Sequence, residues 1–529
     1  MSQFPIDALL ARICSEVRPG QTVLLQAPPG AGKTTRVPLA LIGALTEGQG
    51  VLGDEQKIWM IEPRRLATKA AAARLAATLG EEIGASIGYA VRGEQKRSSR
   101  TQVEVITDGL FLRRLQSDPS LNGVGCVIFD EFHERGRDAD LSLALLREAR
   151  PLLNPDLAVM LMSATLDLSD LRERLPEATV LESPGRCYPV EIHHQPPRPD
   201  EPLPKQVLRA IEQHAFDQPQ GSGVLVFLPG LAEIERCRQI LTASSSLQNW
   251  RIQALHGQLP LQQQSSALQR CNPSQDGSII LASAIAESSL TIDGVRLVID
   301  SGLSRQLRYD PNTRMEGLET TASSLASAEQ RSGRAGRQCP GRCIRLWSPA
   351  EQQRRPRFHP PELLLADPQP VLMELAQWGA GLGEDLPWLD PPPAAAMQEG
   401  QLGLQQLGLL EQDGRISERG RLIGGLGVHP RLGMLLLRAH EQGNPQLGCD
   451  LAAILSERDT FDRRQIGSDL ETRLNGIRRH SSLRTLSQQL RRQLKRLGTS
   501  PQGRDSSVNA GDLILAAFPE WLAQQRPDQ

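Results

Sequence analysis

The sequence predicts an α/β protein in which two tandem parallel-sheet domains are followed by a mostly helical C-terminal region. Two series of short apolar runs, each followed by an Ala-, Leu- and Arg-rich helix-like stretch, give the parallel sheets. The runs stop after Trp347, where Leu-rich helical segments separated by Gly and Pro take over, as in Leu363–Gly379. The length of 529 residues agrees, because one core organises roughly 150.

The first series reads Thr22–Gln26, Ile58–Glu62, Val103–Thr107, Cys126–Asp130 and Ala158–Met162. A Pro-rich stretch, Gln195–Pro204, separates it from the second: Val224–Leu228, Arg251–Leu255, Ser278–Ala282, Val295–Ile299 and Cys343–Trp347. Near the C-terminus Leu483, Leu486, Leu490, Leu494 and Leu497 recur three and four apart, an apolar helical stripe. Arg484, Arg491, Arg492, Lys495 and Arg496 supply the polar faces, which read equally as solvated or as facing nucleic acid.

Hydrophobic residues at 39% and charged residues at 23% exclude a disordered, collagen-like or mucin-like chain. Lys plus Arg at 59 against Asp plus Glu at 61 leaves a formal charge of -2, so any nucleic acid partner must be held by local patches. The first ten residues carry no basic, apolar leader pattern, and no run approaches the ~18 apolar residues of a membrane span. The expectation is a soluble, cytoplasmic protein with no membrane partner. Cys14, Cys126, Cys187, Cys237, Cys271, Cys339, Cys343 and Cys449 are scattered without a CxxC pair, and are expected to be reduced and structural rather than zinc ligands.

Chemistry concentrates at two strand ends. After Thr22–Gln26 comes Ala27-Pro-Pro-Gly30-Ala31-Gly32-Lys33-Thr34-Thr35, a strand-to-helix turn whose backbone amides can cradle phosphates. Lys33 would neutralise those phosphates and Thr34 would coordinate magnesium. Ala27 stands where the GxxxxGK[ST] pattern has its first glycine, which matters little if that position avoids positive φ; Gly30 and Gly32 keep freedom where backbone approaches ligand. The run Cys126–Asp130 ends in Asp130-Glu131-Phe132-His133, two carboxylates at the C-terminal edge of a parallel sheet, where α/β proteins bind ligands. Asp130, with Glu131 beside it, would hold magnesium, and Glu131 would activate water.

DEFH followed by Ser163-Ala164-Thr165 resembles motifs II and III of the superfamily 2 DEAH-box helicases. Pro63-Arg64-Arg65 and Thr107-Asp108-Gly109 match motifs Ia and Ib, Leu281–Val295 matches motif V, and Gln330–Arg337, QRSGRAGR, matches motif VI. The motifs span both predicted domains in the family's order. The APPGAGKTT form of motif I, Tyr89–Glu94, Gly427–Leu436 and Ser456–Asp459 are similar to HrpB-type bacterial members. Those members continue well past the point matched by Gln529, so a shortened C-terminus is expected.

The resemblance implies two RecA-like domains, 1–185 and 186–348, a winged-helix-like segment at 349–436 and an incomplete helical ratchet-like segment at 437–529. It implies ATP with Mg2+, nucleotide contacts from Gly30, Ala31, Gly32, Lys33, Thr34, Thr35 and Asp293, and metal contacts from Thr34, Asp130 and Glu131. Gln330 would help position the attacking water, while Arg334 and Arg337, three apart on one short helix, would reach the γ-phosphate as arginine fingers. Arg64, Arg65, Thr107, Gly109, Gly230 and Ser283 would grip a nucleic acid backbone without reading sequence. Arg64 and Arg65 read alternatively as helix-start capping, and His256 reads equally as a packing residue.

The chain departs from the family in Ser283-Ala284, where TN is usual, and in Thr313-Arg314, where TG is usual, near the turn of an expected β-hairpin at 308–316. Strand separation is therefore less secure than ATP hydrolysis. The expected activity is an ATP-dependent helicase or translocase acting as a monomer on nucleic acid, with single-stranded RNA favoured over DNA by resemblance alone. The alternatives are a nucleic-acid-stimulated ATPase that remodels ribonucleoprotein complexes without processive unwinding, and a binding protein, against which intact Lys33, Asp130, Glu131 and Arg337 argue. Aromatic residues at 3% disfavour binding dominated by base stacking.

Overall fold

A computed structural model describes residues 4–45, 50–51, 53, 56–164, 168–183, 188–257, 259, 264, 277–287, 292–456, 461, 467, 469–496 and 508–522. Thr165 of motif III, Cys187, Cys271, residues 288–291 of motif V, 457–459 and Leu497 lie outside the described residues. The chain divides into two compact units, one of residues 1–309, 316–366 and 387–390, the other of 310–315, 367–386 and 391–529.

The first unit holds both predicted sheets. One has eight strands: β1 Thr22–Gln26, β2 Lys57–Glu62, β3 Ile87–Val91, β4 Glu94–Lys96, β5 Val103–Thr107, β6 Val124–Phe129, β7 Ala158–Ser163 and β8 Thr179–Glu182. Their spatial order is β4-β3-β5-β2-β6-β7-β1-β8, with β4 antiparallel to β3 and the other pairs parallel. The other sheet takes β9 Val190–His194, β10 Ser222–Phe227, β11 Trp250–Leu255, β12 Gly277–Ala282, β13 Val295–Asp300 and, after β14 Leu303–Asp310 and β15 Met315–Ala322, β16 Gly341–Arg345. Its order is β11-β12-β10-β13-β16-β9, parallel throughout, while β14 and β15 form the expected hairpin as a separate two-stranded sheet.

Burial explains why these runs are strands. Parallel sheets are covered on both faces, so central strands read as continuous apolar stretches, and every residue of β6, β7 and β10 is buried. Ala-rich helix Arg65–Leu79 covers the first sheet through Ala71, Ala72, Leu75 and Ala76. Helices Leu203–His214 and Leu231–Ala243 bury Val207, Ile211, Ile234 and Leu241 in the core of the second.

The second unit is helical apart from an isolated antiparallel bridge between Leu410 and Ile416. Its core comes from helices Pro430–Glu441, Pro445–Ser456, Ser481–Arg496 and Ala510–Ala517, through Leu435, Leu436, Leu451, Leu490, Leu494 and Leu513. The Leu stripe of Ser481–Arg496 is thus a core face, with Arg484, Arg491, Arg492, Lys495 and Arg496 exposed. A Cβ on Gly448 would meet the Ala439 Cβ at 2.3 Å, so glycine there permits two of these helices to touch. Among the described residues no helix is long and apolar enough to cross a membrane, no disulfide forms, and no group of His, Cys, Asp or Glu is arranged to hold a metal.

Candidate functional site

The phosphate-cradle turn leaves β1 at Gln26 and enters helix Lys33–Leu41. Gly30 and Gly32 have φ of +86° and +96°, the left-handed region that favours glycine, and Ala27 lies outside it. Ala27 is buried and its N–H donates to the Ser163 carbonyl at 2.9 Å, which fixes the turn against the end of β7. Substituting the first glycine of the pattern by alanine is therefore sterically neutral here.

Beside this turn, β6 ends at Phe129 and the chain turns sharply. Glu131 and Arg135 adopt φ of +48° and +46°, left-handed conformations for side chains that rarely take them, on either side of the short turn Phe132–Glu134. The turn brings Asp130 and Glu131 onto the phosphate-cradle residues. Lys33 Nζ donates to Glu131 Oε1 at 2.8 Å and lies 3.7 Å from Asp130 Oδ1; Thr34 Oγ1 donates to Asp130 Oδ2 at 2.5 Å. Gly30, Ala31, Gly32 and Thr35 line the backbone beside them, with the Thr35 N–H donating to the Gly32 carbonyl at 3.1 Å.

All of these charges are buried, and the environment decides which forms they take. Burial pushes Glu131 up, but Lys33 first and His133 next pull its carboxyl down to about 2. Burial raises Asp130 more than Lys33 lowers it. Burial lowers the Lys33 ammonium, yet Glu131 and Asp130 outweigh that and hold it above its ordinary value. Glu62 is a third carboxylate here, missed by the sequence reading. It closes β2, whose Ile61 pairs with Phe129, so it stands beside Asp130; burial, Asp130 and Glu131 raise it well above the usual carboxylate range. A strand-end carboxylate just before the Pro-Arg-Arg segment was the signal that could have found it.

From the second sheet, helix Leu325–Ser332 supplies Gln330, whose Nε2 lies 3.2 Å from His133 Nε2; His133 Nδ1 in turn lies 3.5 Å from Glu131 Oε2. The helix ends at Ser332, so Arg334 and Arg337 stand in the turns after it rather than on one helix as expected. Past Ser332 the chain continues in tight turns, with the Arg334 N–H donating to the Arg331 carbonyl at 3.1 Å and the Ala335 N–H to the Ser332 carbonyl at 3.0 Å. Arg334 is nevertheless buried and electrostatically attracted to Glu131, although burial and then the neighbouring Arg337 hold it well below the ordinary arginine value. Asp293 is exposed and accepts from Gln338 Nε2 at 2.7 Å.

The remaining predicted residues lie at strand ends of both sheets. Arg64 donates to Glu134 at 3.0 Å, Arg65 is exposed, and Thr107 immediately precedes helix Asp108–Ser117 without a side-chain capping bond; a Cβ on Gly109 in that helix would come 3.0 Å from Asp138 Oδ2. Gly230 opens helix Leu231–Ala243, and a Cβ there would meet the Arg305 guanidinium at 2.8 Å. Ser283 follows β12, with its N–H donating to the Leu255 carbonyl at 3.1 Å. His256, after β11, is partly buried.

The donor set fits a nucleoside triphosphate with a hard divalent cation. A threonine hydroxyl and an aspartate meet at one point, a buried lysine stands beside them, and Glu131 Oε2 is buried without a hydrogen-bond partner among the described residues. Such an arrangement can bind phosphates and hold a water against them.

A phosphate cradle and paired carboxylates on one parallel sheet, met by a glutamine and arginines from a second, are the fold and site arrangement of the helicase class. The comparisons agree. The DEAD/DEAH box helicase family matches residues 10–173, and the helicase conserved C-terminal domain matches 206–339. The chain belongs to the DEAH-box helicases, and within them to the HrpB type. It is 39% identical over 528 residues to the ATP-dependent RNA helicase HrpB of Escherichia coli, covering 99% of this chain and 62% of that protein. A crystal structure of the Escherichia coli DEAH/RHA helicase HrpB superposes with a TM-score of 0.87 at 37% identity, covering 99% of this chain and 64% of that one. A more distant relative, the mouse probable ATP-dependent RNA helicase DHX34, is 32% identical over 87% of this chain and 40% of its own length. The chain thus spans about three fifths of the HrpB proteins it matches.

Proposed function

We propose that the chain is an ATP-dependent RNA helicase or translocase. The observation that carries this reading is the convergence of Lys33, Thr34, Asp130 and Glu131 at one buried point, with Gln330 of the second lobe reaching His133. In this reading the amides of Gly30 to Thr35 and the Lys33 ammonium bind the ATP phosphates, with Asp293 contacting the nucleotide from the second lobe. Thr34 and Asp130, with Glu131 beside them, would hold Mg2+, which when bound neutralises charge on the phosphates. Glu131, ionised at neutral pH, accepts a proton from the attacking water. Gln330 helps orient that water, and Arg334 and Arg337 stabilise charge on the transferring phosphoryl group.

Arg64, Arg65, Thr107, Gly109, Gly230 and Ser283 would grip the strand through its phosphates. RNA is the favoured partner because the relatives are named as RNA helicases. Residues 349–436 and 437–529 would serve as winged-helix-like and ratchet-like modules following lobes at 1–185 and 186–348 in the chain. We take the chain to work as a monomer, because both sides of the phosphate site come from one chain, and to work in the cytoplasm, as expected for a bacterial HrpB-type protein.

Strand displacement tests the reading. A labelled strand annealed to RNA bearing a single-stranded overhang should be released with ATP and retained with Glu131→Gln. ATP turnover without release would support ribonucleoprotein remodelling instead.

A further inference from the structure

We propose that Glu287 is a positioning residue that sets Gln330 and Arg334 for ATP hydrolysis, an inference that rests on the ATPase reading above. Glu287 meets the motif VI segment at three levels. Its Oε2 accepts from Ser327 Oγ at 2.9 Å, its Oε1 accepts from Arg331 Nε at 2.6 Å, and its backbone carbonyl accepts from Arg334 Nη2. Residues 327, 331 and 334 are spaced four and three apart, so a single side chain and its carbonyl brace one edge of helix Leu325–Ser332 and the turn after it.

Charge accounting separates this role from simple neutralisation. The Arg331 guanidinium is buried to 1% exposure, with Nη1 donating to Asp300 Oδ1 at 2.8 Å and to the Leu303 carbonyl at 3.1 Å, and Nη2 donating to Ser304 Oγ at 2.9 Å. It also lies 5.3 Å from the Phe227 ring centroid. Asp300, at 0% exposure, suffices to balance it one to one, and Glu287, whose Oε1 also lies 2.5 Å from Arg331 Nη2, is a second carboxylate on the same guanidinium. What Glu287 adds is direction. It ties the helix to the short turn Ala284–Ala286, while Gln330 extends from the same helix toward His133 at 3.2 Å and Arg334 is attracted to Glu131. A displacement of about 1 Å at reacting groups costs on the order of 100-fold in rate, so a brace on this helix acts on the chemistry through Gln330 and Arg334.

The test is a mutant cycle on ATP hydrolysis by the full chain with saturating single-stranded RNA, followed by radiolabelled phosphate release so that slow variants are measurable. Glu287→Gln should lower kcat about tenfold or more and leave KM for ATP within about twofold. In a Gln330→Ala/Arg334→Ala background it should lower kcat less than about twofold further, because both residues it acts through are gone. Ser327→Ala removes the outermost contact and leaves the buried Arg331–Asp300 pair; it should lower kcat about threefold with an unchanged melting temperature, and decides the matter if Glu287→Gln does not fold. Equal fractional losses with and without the Gln330–Arg334 pair, or kcat within about twofold of the unchanged chain for both single variants, would overturn the proposal. If the unchanged chain does not hydrolyse ATP, the ATPase reading has failed and the inference falls with it.

Discussion

Lys33 faces three buried carboxylates, Glu62, Asp130 and Glu131, and its contacts with the last two are direct. Removing one partner of a buried ion pair leaves an uncompensated charge, at a cost of about 3–5 kcal/mol. Lys33→Ala should therefore lower both phosphate affinity and folding stability, and adding Glu131→Gln should recover part of the stability while activity stays lost. Urea unfolding of the single and double variants checks this; equal midpoints for Lys33→Ala and the unchanged chain would contradict it. Asp108 makes a second residue-scale prediction. Burial first, then Asp138, Glu134, Glu362 and Asp140, push its carboxyl up to about 8. The folded chain then holds a proton that the unfolded chain releases near pH 4, so this contribution to stability is full in acid and is lost as pH rises toward 8. Asp108→Asn should flatten the fall in melting temperature between pH 5 and pH 9, and an unchanged slope would refute the assignment.

Elements differ in how clearly the sequence announces them, and the reason is burial. The ten apolar runs are all strands, with ends that agree to within two residues, because a strand covered on both faces must be apolar throughout. Strands β3, β4, β8 and β9 were not read: β4, β8 and β9 are sheet edges whose Glu94, Glu182, Glu191 and His193 leave no apolar run, while β3 is buried but has its apolar residues interrupted by Gly88 and Tyr89. The phosphate cradle and DEFH were legible since their chemistry is local. Glu62 and Glu287 were not, since their importance arises from pairing with residues distant in sequence; Glu287 and Arg331 are 44 apart. The hairpin turn at 310–315 shows how a departure from the family pattern is accommodated. Arg314, where glycine is usual, holds φ of +53° and pairs with Glu520 at 3.4 Å, and Trp521 Nε1 donates to the Thr313 carbonyl at 3.0 Å. Glu520 also holds Arg431, whose side chain is 3% exposed. Arg314→Gly should change stability by less than about 1 kcal/mol, since relief of the left-handed arginine offsets a partly exposed pair. Glu520→Ala should cost about 2–3 kcal/mol because it strands a buried guanidinium. Comparable losses for the two, read by denaturant unfolding, would contradict this division.

At the scale of the whole molecule, the proposed function would have ATP hold two lobes together and hydrolysis let them part. One lobe carries Lys33, Thr34, Asp130 and Glu131, and the other Gln330, Arg334 and Arg337, so in the proposed function both would grip the same phosphates only while the γ-phosphate is present. A strand held at Arg64, Arg65, Thr107 and Gly109 on one lobe and at Gly230 and Ser283 on the other would then be advanced by each cycle. Because these contacts are to phosphates, stimulation should weaken steeply with added salt. The most direct test of the central claim is the steady-state ATPase rate at fixed low salt with no nucleic acid, with single-stranded RNA and with single-stranded DNA, beside Glu131→Gln. The account predicts turnover that RNA stimulates more than DNA and that the variant loses. Glu131-dependent turnover that neither strand changes would contradict the coupling, and no turnover at all would contradict the assignment of the site.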